Sequence, residues 1–151
     1  MKMRAPLAAA TAAALAVALS GCSLMNAITP PVETALYPTM TDATGPDATL
    51  AVPSWVPSDA LNIQIKENTE TGESILQFGQ PTPVTTPIGQ PCDASVADQR
   101  PTMQDTWWPQ SIAYDQVVCD GDWHIFLTYG VQYFAWRNAD PSQGGTSTPT
   151  E

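Results

Sequence analysis

The sequence predicts a small, mainly β domain. It is expected to be an antiparallel sheet that is cross-linked by one disulfide and flanked by a disordered tether and a disordered tail. Between residues 54 and 137, apolar residues recur mostly at every second position, which is typical of half-buried strands. Six prolines between residues 81 and 109 exclude long helices from the middle of this region. No ten-residue stretch of it carries the apolar stripe of an amphipathic helix.

The first two strands are predicted to form a hairpin. The segment ALNIQIKE, residues 60–67, alternates apolar and polar residues, and ESILQFG, residues 73–79, places Leu76 and Phe78 on one face. The NTETG stretch between them ends at Gly72 and supplies the turn. The residues expected to share the buried face of the first strand are Leu61, Ile63 and Ile65.

Three later strands are predicted near the end of the domain. They are YDQVVCD, DWHIFLTYG and VQYFAWR, at residues 114–120, 122–130 and 131–137. Turns are expected near Asp120-Gly121 and at Gly130. A short helical turn is expected around Asp93 to Gln99.

The N-terminal residues have the pattern of an export signal. Lys2 and Arg4 precede an uncharged apolar run from Ala5 to Leu19, which is shorter than the ~20 apolar residues needed to span a membrane. A basic start followed by an apolar run of this length is the pattern of a signal peptide. We therefore interpret residues 1–21 as a signal peptide.

Leu19-Ser20-Gly21-Cys22 resembles the lipobox of bacterial lipoproteins, in which an aliphatic residue and two small residues precede a cysteine. The resemblance implies that Cys22 receives a diacylglyceryl group and becomes the new N-terminus after cleavage. Acyl chains such as palmitate would then anchor the protein to the extracytoplasmic face of the cell membrane. The alternative is an ordinary secretory signal followed by an unmodified cysteine.

The two remaining cysteines, Cys92 and Cys119, form an even pair in an oxidising compartment and are predicted to form a disulfide. The bridge would close a loop spanning 27 positions, for which chain entropy gives about 3–4 kcal/mol of stabilisation. Zinc binding is the alternative, but two cysteines and a single histidine make a poor zinc cluster.

The mature chain would be strongly acidic. Lys2 and Arg4 leave with the signal, so three cations remain against 15 acidic residues and the formal balance is −12. Such a chain disfavours nucleic acid and anionic lipid head groups as ligands, because few cations could neutralise their phosphates. Mutual repulsion between acidic surfaces also favours solubility in a crowded environment.

Composition divides the mature chain into three segments. Residues 22–53 comprise the lipidated cysteine and a tether rich in Pro, Thr, Ala and Asp, which is predicted to be disordered. Residues 54–137 contain all five tryptophans and are predicted to be the folded domain. Residues 138–151 are predicted to be a disordered tail. A core this small is marginal, so the disulfide would matter for its stability.

Several short elements of the domain resemble small lipoproteins of high-GC Gram-positive bacteria, the actinobacteria. These are PSWVPSDALNIQIK, ILQF, DTWWPQS and Cys119 with the nearby Asp122-Trp123. They cover most of residues 54–123. In that group a Trp-Val-Pro element opens the domain, and a Trp-Trp-Pro element lies between a pair of cysteines. The resemblance implies fold kinship and location, and it carries over no activity or catalytic residue.

Asp120, Asp122 and His124 are the residues that most suggest chemistry. On one strand they would share a face and could offer two oxygens and a nitrogen to a metal. The alternative is a turn at Asp120-Gly121, with Asp122 and His124 on its solvent side. Because the chain has one histidine and no G-x-S-x-G element, we predict no catalytic residue, no metal site and no cofactor.

The TWWP element, residues 106–109, is the best candidate for ligand binding. Neighbours in an extended segment point in opposite directions, so one of Trp107 and Trp108 is expected to be partly exposed, next to Tyr114. The alternative is that this loop covers an open face of the sheet and both rings complete the core.

These patterns together favour a non-enzymatic binding or interaction module of the cell envelope, with an envelope protein or a glycan as its partner. The first alternative is a passive structural component, expected if every tryptophan is buried. The second is a small hydrolase or metal-dependent enzyme that uses His124.

Overall fold

The computed structural model describes residues 31–97, 99–128 and 130–139. The predicted signal peptide, Cys22 with its predicted lipid, and most of the predicted tail lie outside these residues. Within them the chain is mainly β, as predicted, and Cys92 is bonded to Cys119. The fold class and the disulfide are therefore confirmed.

Seven strands form one antiparallel sheet. The elements in chain order are β1 (Val32–Thr39), α1 (Met40–Ala43), β2 (Leu61–Asn68), β3 (Ser74–Gly79), β4 (Gln90–Pro91), a 3-10 turn (Tyr114–Gln116), β5 (Val118–Asp120), β6 (Trp123–Thr128) and β7 (Gln132–Arg137). Their order across the sheet is β1-β2-β3-β7-β6-β5-β4. The hairpins β2–β3 and β6–β7 therefore meet where β3 pairs with β7.

The sheet buries apolar side chains on both faces, which we call the front and the back. Residues 40–60 cover the front face and residues 103–117 cover the back face. Buried front-face residues of the strands are Ala35, Tyr37, Ile63, Ile65, Leu76, Phe78, Trp123, Ile125, Tyr133 and Ala135. Those of the back face are Ile75, Phe126, Phe134 and Trp136. Because a buried Ile, Leu or Phe contributes about 1.5–3 kcal/mol, two covered faces make a small sheet stable.

The prediction of a disordered tether is wrong for residues 31–53. These residues include β1 and α1, and β1 pairs with β2 along its length. Only two of its eight side chains, Ala35 and Tyr37, are buried. So few buried positions leave little periodicity in the sequence, and β1 forms because β2 offers it an edge of unpaired backbone groups. The folded domain begins at residue 31 and not at residue 54.

Tyr37 joins the segment that follows α1 to the sheet. Its hydroxyl donates to the carbonyl of Leu50 at 2.9 Å and accepts from the N–H groups of Thr49 and Leu50 at 3.0 and 2.8 Å. These bonds satisfy backbone groups of Thr49 and Leu50, in a segment that is not part of a strand. At the other end of the domain, Asn138 Nδ2 donates to the carbonyl of Arg100 at 3.0 Å, so the ordered chain extends past the predicted boundary.

The predicted β2–β3 hairpin is confirmed, with one difference on its buried face. Ile63 and Ile65 are fully buried as expected, whereas Leu61 is 38% exposed. Asn62 has a left-handed φ of 51°, and the β2–β3 register shifts between Leu61 and Gln64. This bulge changes the direction of the first residues of β2, so Leu61 does not join the core.

The later strands are present with narrower bounds than predicted. β5 begins at Val118, because the residues predicted to start it form the 3-10 turn. Gly121 adopts a φ of 55° in the turn between β5 and β6, a conformation that costs glycine little. The predicted helical turn is also present, since the N–H of Ala97 bonds to the carbonyl of Asp93 at 3.0 Å.

Candidate functional site

The tryptophan pair and Tyr114 lie over the back face of the sheet. Trp108 is 5% exposed and packs edge-on against Phe134 and Trp136, at ring distances of 5.7 and 6.4 Å. Trp107 is half-buried and packs edge-on against Trp108 at 5.9 Å. Tyr114 is half-buried against Trp136 at 6.3 Å. The two tryptophans are therefore unequally exposed, and together with Tyr114 they cover the core instead of presenting a shared stacking surface.

His124 lies apart from the two aspartates that precede it. Asp120 and Asp122 are exposed on either side of the β5–β6 turn, whereas His124 is 3% exposed on the back face. Its ring stacks on Trp136 at 4.8 Å. Nε2 lies 2.9 Å from the carbonyl of Val96 and must donate there, because a carbonyl can only accept. Within residues 31–97, 99–128 and 130–139, no group of three His, Cys, Asp or Glu side chains could hold a metal ion.

A cleft of about 480 Å³ opens beside the front-face core, and we call it the Trp55 cleft. Its walls come from three parts of the chain: Trp55 to Asp59 before β2, Gln80 to Gly89 between β3 and β4, and Asp120 at the end of β5. These parts are distant in sequence and are brought together by the β3–β7–β6–β5 pairing order. The cleft therefore exists only in the folded domain.

The chain between β3 and β4 stays outside the sheet because it is rich in proline. Pro81, Pro83 and Pro87 have a fixed φ and no N–H to donate, so this segment cannot act as a central strand. Val84 and Ile88 pack against the front-face core and hold the segment in place. Two of its prolines and these two aliphatic side chains line the cleft as an apolar wall.

Gln80 is the polar centre of the Trp55 cleft. It is 5% exposed, and its Nε2 donates to Asp59 Oδ1 at 2.7 Å and to the carbonyl of Thr82 at 3.1 Å. Both partners only accept, so the orientation of the amide is determined by these bonds. Oε1 is consequently a buried acceptor, and it has no partner among the described residues. Buried polar groups are nearly always hydrogen-bonded in proteins, so this atom is an exception, as are Nδ1 of His124 and the indole N–H of Trp55.

Trp55 supplies the aromatic side of the cleft. Its ring packs against Phe78 at 6.1 Å and edge-on against Trp123 at 5.8 Å, so one side of the indole belongs to the core. The residue is half-buried, and its remaining surface lines the cleft. A ring held in this way is a rigid surface that binds apolar or cationic groups with little loss of side-chain entropy.

The Trp55 cleft is acidic. The hydrogen bonds from Gln80 and Thr82, the first being the stronger cause, lower the pKa of Asp59 below its ordinary value, so this carboxylate is ionised at neutral pH. Asp120, at the other side of the cleft, is exposed. No lysine, arginine or histidine of the described chain lines the cleft.

The cations that the structure describes are all engaged elsewhere. Lys66 Nζ lies 2.9 Å from Asp105 Oδ2. Arg137 bonds to the carbonyl of Gly72 at 2.8 Å and lies over the ring of Trp123. The last cation, Arg100, lies 5.2 Å above the ring of Tyr114. None is placed to neutralise the carboxylates of the cleft.

A second cleft of about 580 Å³ lies beside His124. It is lined by the β2–β3 turn, by Val96, by Asp122, by His124 and by Arg137, with no Trp, Tyr or Phe side chain. Arg137 is already bonded to Gly72, Ser74 and Glu67. Because its one arginine is paired within the protein and no Trp, Tyr or Phe lines it, this cleft is a weaker candidate than the Trp55 cleft.

Sequence reasoning selected Trp107, Trp108 and Tyr114 and missed Trp55, Gln80 and Asp59. The signal that could have found them is the PTPVTTP run at residues 81–87, which follows a predicted strand directly. Such a run cannot pair as a central strand and leaves an open wall beside the sheet.

Comparison of the chain with protein-family models, with curated proteins and with solved structures found no match. Among the residues that the structure describes, no helix is long and apolar enough to cross a membrane.

Proposed function

We propose that the protein is a lipid-anchored module at the extracytoplasmic face of the cell membrane, and that it binds a component of the cell envelope in the Trp55 cleft. The observation that supports this most strongly is one cleft that combines the half-buried indole of Trp55 with an apolar wall and the fixed amide of Gln80. Ligand sites characteristically combine an apolar wall with a few fixed polar groups.

The proposed anchor and the described domain lie close together along the chain. Residues 23–31 separate Cys22 from the first residue of β1. An extended chain spans about 3.3–3.6 Å per residue, so the domain would stay within about 35 Å of the lipid. A binding site held at that distance would meet ligands at the membrane surface and not in the bulk medium.

The charge of the molecule restricts the proposed ligand. Each described cation is engaged within the domain, and the mature chain would carry a formal balance of −12 from three cations and 15 acids. Nucleic acids and other polyanions are therefore poor candidates. An envelope protein segment or a glycan remains the proposed partner.

The two alternatives have less support. A passive structural role was expected if every tryptophan were buried, and Trp55 and Trp107 are only half-buried. An enzyme based on His124 would need a free ring nitrogen next to substrate. Its Nε2 is bonded to the carbonyl of Val96, and its Nδ1, although it has no hydrogen-bond partner among the described residues, is buried out of reach of a substrate.

The proposal is tested by binding of the intact lipoprotein, purified in detergent, to peptide and glycan arrays. Thr85→Arg places a bulky side chain at an exposed position of the Trp55 cleft, and Ser111→Arg adds the same charge at an exposed position outside both clefts. We expect array components that bind the wild type to lose about tenfold or more in affinity with Thr85→Arg and to be unaffected by Ser111→Arg. Equal binding by all three proteins, or binding by none, would contradict the proposal.

A further inference from the structure

We propose that β1 binds a second copy of this chain, and that the two β1 strands pair antiparallel about a two-fold axis into one continuous sheet. The surface is the open edge formed by Val32–Thr39, which we call the β1 edge, and none of its residues lines the Trp55 cleft. The inference therefore goes beyond the proposed function. It depends on the backbone groups of β1, on its exposed apolar side chains and on the position of its proline.

The two edges of the sheet differ in how well they are protected. β4, at one edge, has only two residues, Gln90–Pro91, and the disulfide of Cys92 lies directly after it. Short strands and prolines are common means by which proteins prevent edge-to-edge pairing. β1, at the other edge, has eight residues and keeps a single register with β2. It contains no lysine, and Glu33 is its only charged residue. The β1 edge is therefore open to a further strand.

The direction of the backbone groups of β1 follows from one hydrogen bond at its start. The N–H of Thr69 donates to the carbonyl of Pro31 at 3.0 Å and continues the β1–β2 register, so these two residues are a hydrogen-bonded pair. Because hydrogen-bonded and non-hydrogen-bonded pairs alternate in an antiparallel ladder, odd-numbered residues of β1 bond to β2. The even-numbered residues Val32, Thr34 and Leu36 direct their N–H and C=O groups away from the sheet. No described residue pairs with these groups.

The same even-numbered residues carry exposed apolar side chains. Ala35 and Tyr37 belong to the front-face core, so Val32, Thr34 and Leu36 lie on the back face of the sheet. Val32 is 42% exposed there, and Leu36 is 67% exposed, more than any other large apolar side chain of the described chain. A strand added at the β1 edge would bury part of both side chains.

One antiparallel register matches the backbone groups and the side chains together. When Thr34 lies opposite the partner's Thr34, Val32 lies opposite the partner's Leu36, and the reverse pair forms on the other side of the two-fold axis. In these pairs each residue can donate one N–H and accept at one C=O, and the apolar side chains meet on the back face. On the front face, Glu33 lies opposite the partner's Ala35, so the two acids are not directly opposed.

A slide of two residues in either direction is less favourable. In one direction Val32 would lie opposite the partner's Pro38, which has no N–H to donate, so a hydrogen bond would be lost at each end. In the other direction Glu33 would lie opposite the partner's Glu33, and like charges directly opposite each other are destabilising. Pro38 is even-numbered, so its missing N–H belongs to the outward groups and leaves the β1–β2 ladder intact.

The proposed lipid anchor is compatible with this pairing. The two Val32 residues would lie about 14 Å apart, a distance given by four residues of strand and one strand spacing. Residues 23–31 allow Cys22 to lie up to about 35 Å from β1. Both anchors could therefore enter the same membrane, which would hold two copies at a raised effective concentration.

The test measures dimerisation of the intact lipoprotein in an excess of detergent micelles, by sedimentation velocity over a range of protein concentrations. We expect the wild type to form a dimer. Leu36→Lys places a charge in each apolar pair and should raise the dissociation constant about tenfold or more. Val131→Lys makes the same kind of exchange at a 54% exposed position of the β6–β7 turn and should leave the dissociation constant within about twofold. Both variants should keep the thermal midpoint of the wild type, because both side chains are exposed.

Hydrogen exchange and NMR identify the edge and its register. The N–H groups of Val32, Thr34 and Leu36 should be protected from exchange at dimer concentrations and should exchange rapidly on dilution. A sample mixed from ¹³C-labelled and unlabelled protein should show an intermolecular contact between Hα of Glu33 and Hα of the partner's Ala35, which this register places opposite each other.

Three results would overturn the inference. They are a monomer at every concentration, equal weakening of the dimer by Leu36→Lys and Val131→Lys, and a dimer in which the N–H groups of Val32, Thr34 and Leu36 exchange as fast as in the monomer. Leu36 does not line the Trp55 cleft, so Leu36→Lys should retain the array binding of the wild type. Loss of the dimer and loss of array binding are therefore separate results.

Discussion

Replacement of the two adjacent tryptophans by alanine should have very unequal effects on stability. Trp108 is 5% exposed, and four aromatic rings surround it at 5.7–6.4 Å. Trp108→Ala therefore leaves a large cavity in the back-face core and should cost about 3–5 kcal/mol. Trp107 is half-buried and contacts mainly its neighbour, so Trp107→Ala should cost about 1–2 kcal/mol, in proportion to the apolar area that it covers.

The assay is urea unfolding of the full chain followed by far-ultraviolet circular dichroism, because removal of a tryptophan alters the fluorescence signal itself. The urea midpoint should fall much further for Trp108→Ala, with an unchanged slope if both variants unfold in one step. In thermal melts the same variant should lose about 15 °C or more. Equal losses, or a larger loss for Trp107→Ala, would refute the assignment of Trp108 to the core and of Trp107 to its margin.

The other predictions concern the anchor, the disulfide, the first strand and an ion pair. Cys22→Ala should move the protein from membranes to the medium, and unchanged partitioning with no lipid by mass spectrometry would contradict the lipobox interpretation. Cys92→Ser should lower the free energy of unfolding by about 3–4 kcal/mol in chemical denaturation, and two titratable thiols in the native wild type would contradict the bridge. Tyr37→Phe leaves two N–H groups of residues 49–50 without their acceptor and should cost about 1–3 kcal/mol; no loss of stability would show that the segment after α1 is not held by this hydroxyl. The hydrogen bond from Lys66 lowers the pKa of Asp105. The contribution of this hydrogen bond to the free energy of unfolding is therefore present above about pH 4, and it is lost as the pH falls through the lowered pKa of Asp105. Asp105→Asn should accordingly reduce the acid dependence of unfolding below pH 4, and identical acid profiles would contradict this.

The sequence alone predicts those strands in which buried and exposed side chains simply alternate. Ile63 and Ile65 in β2, and Leu76 and Phe78 in β3, are buried as their spacing predicted. Alternation is a property of the extended chain itself, because successive side chains point to opposite faces. The disulfide was predictable for a different reason: once Cys22 is assigned to the lipid, only one pairing remains.

Alternation alone could not show that the central strands are buried on both faces. In β6 and β7, apolar residues occur at both odd and even positions, as expected for strands that are covered on both faces. The segments that cover them lie far away in the sequence. Trp108 illustrates this. Its burial depends on Phe126, Phe134 and Trp136, which the strand pairing places beneath residues 103–117.

The first strand and the cleft were decided by tertiary structure alone. β1 has only two buried side chains, so its sequence shows little alternation. It forms because its backbone pairs with the backbone of β2, and that pairing does not depend on a local sequence pattern. The cleft unites Trp55, Gln80 and Asp120, which lie on separate segments. The amide of Gln80 is oriented by Asp59, 21 positions earlier. Composition and periodicity report the preferences of neighbouring residues, whereas burial and hydrogen-bond satisfaction depend on which distant segments meet. For this reason the sequence predicted a small disulfide-bonded sheet, and only the folded structure placed an acidic, partly aromatic cleft beside it.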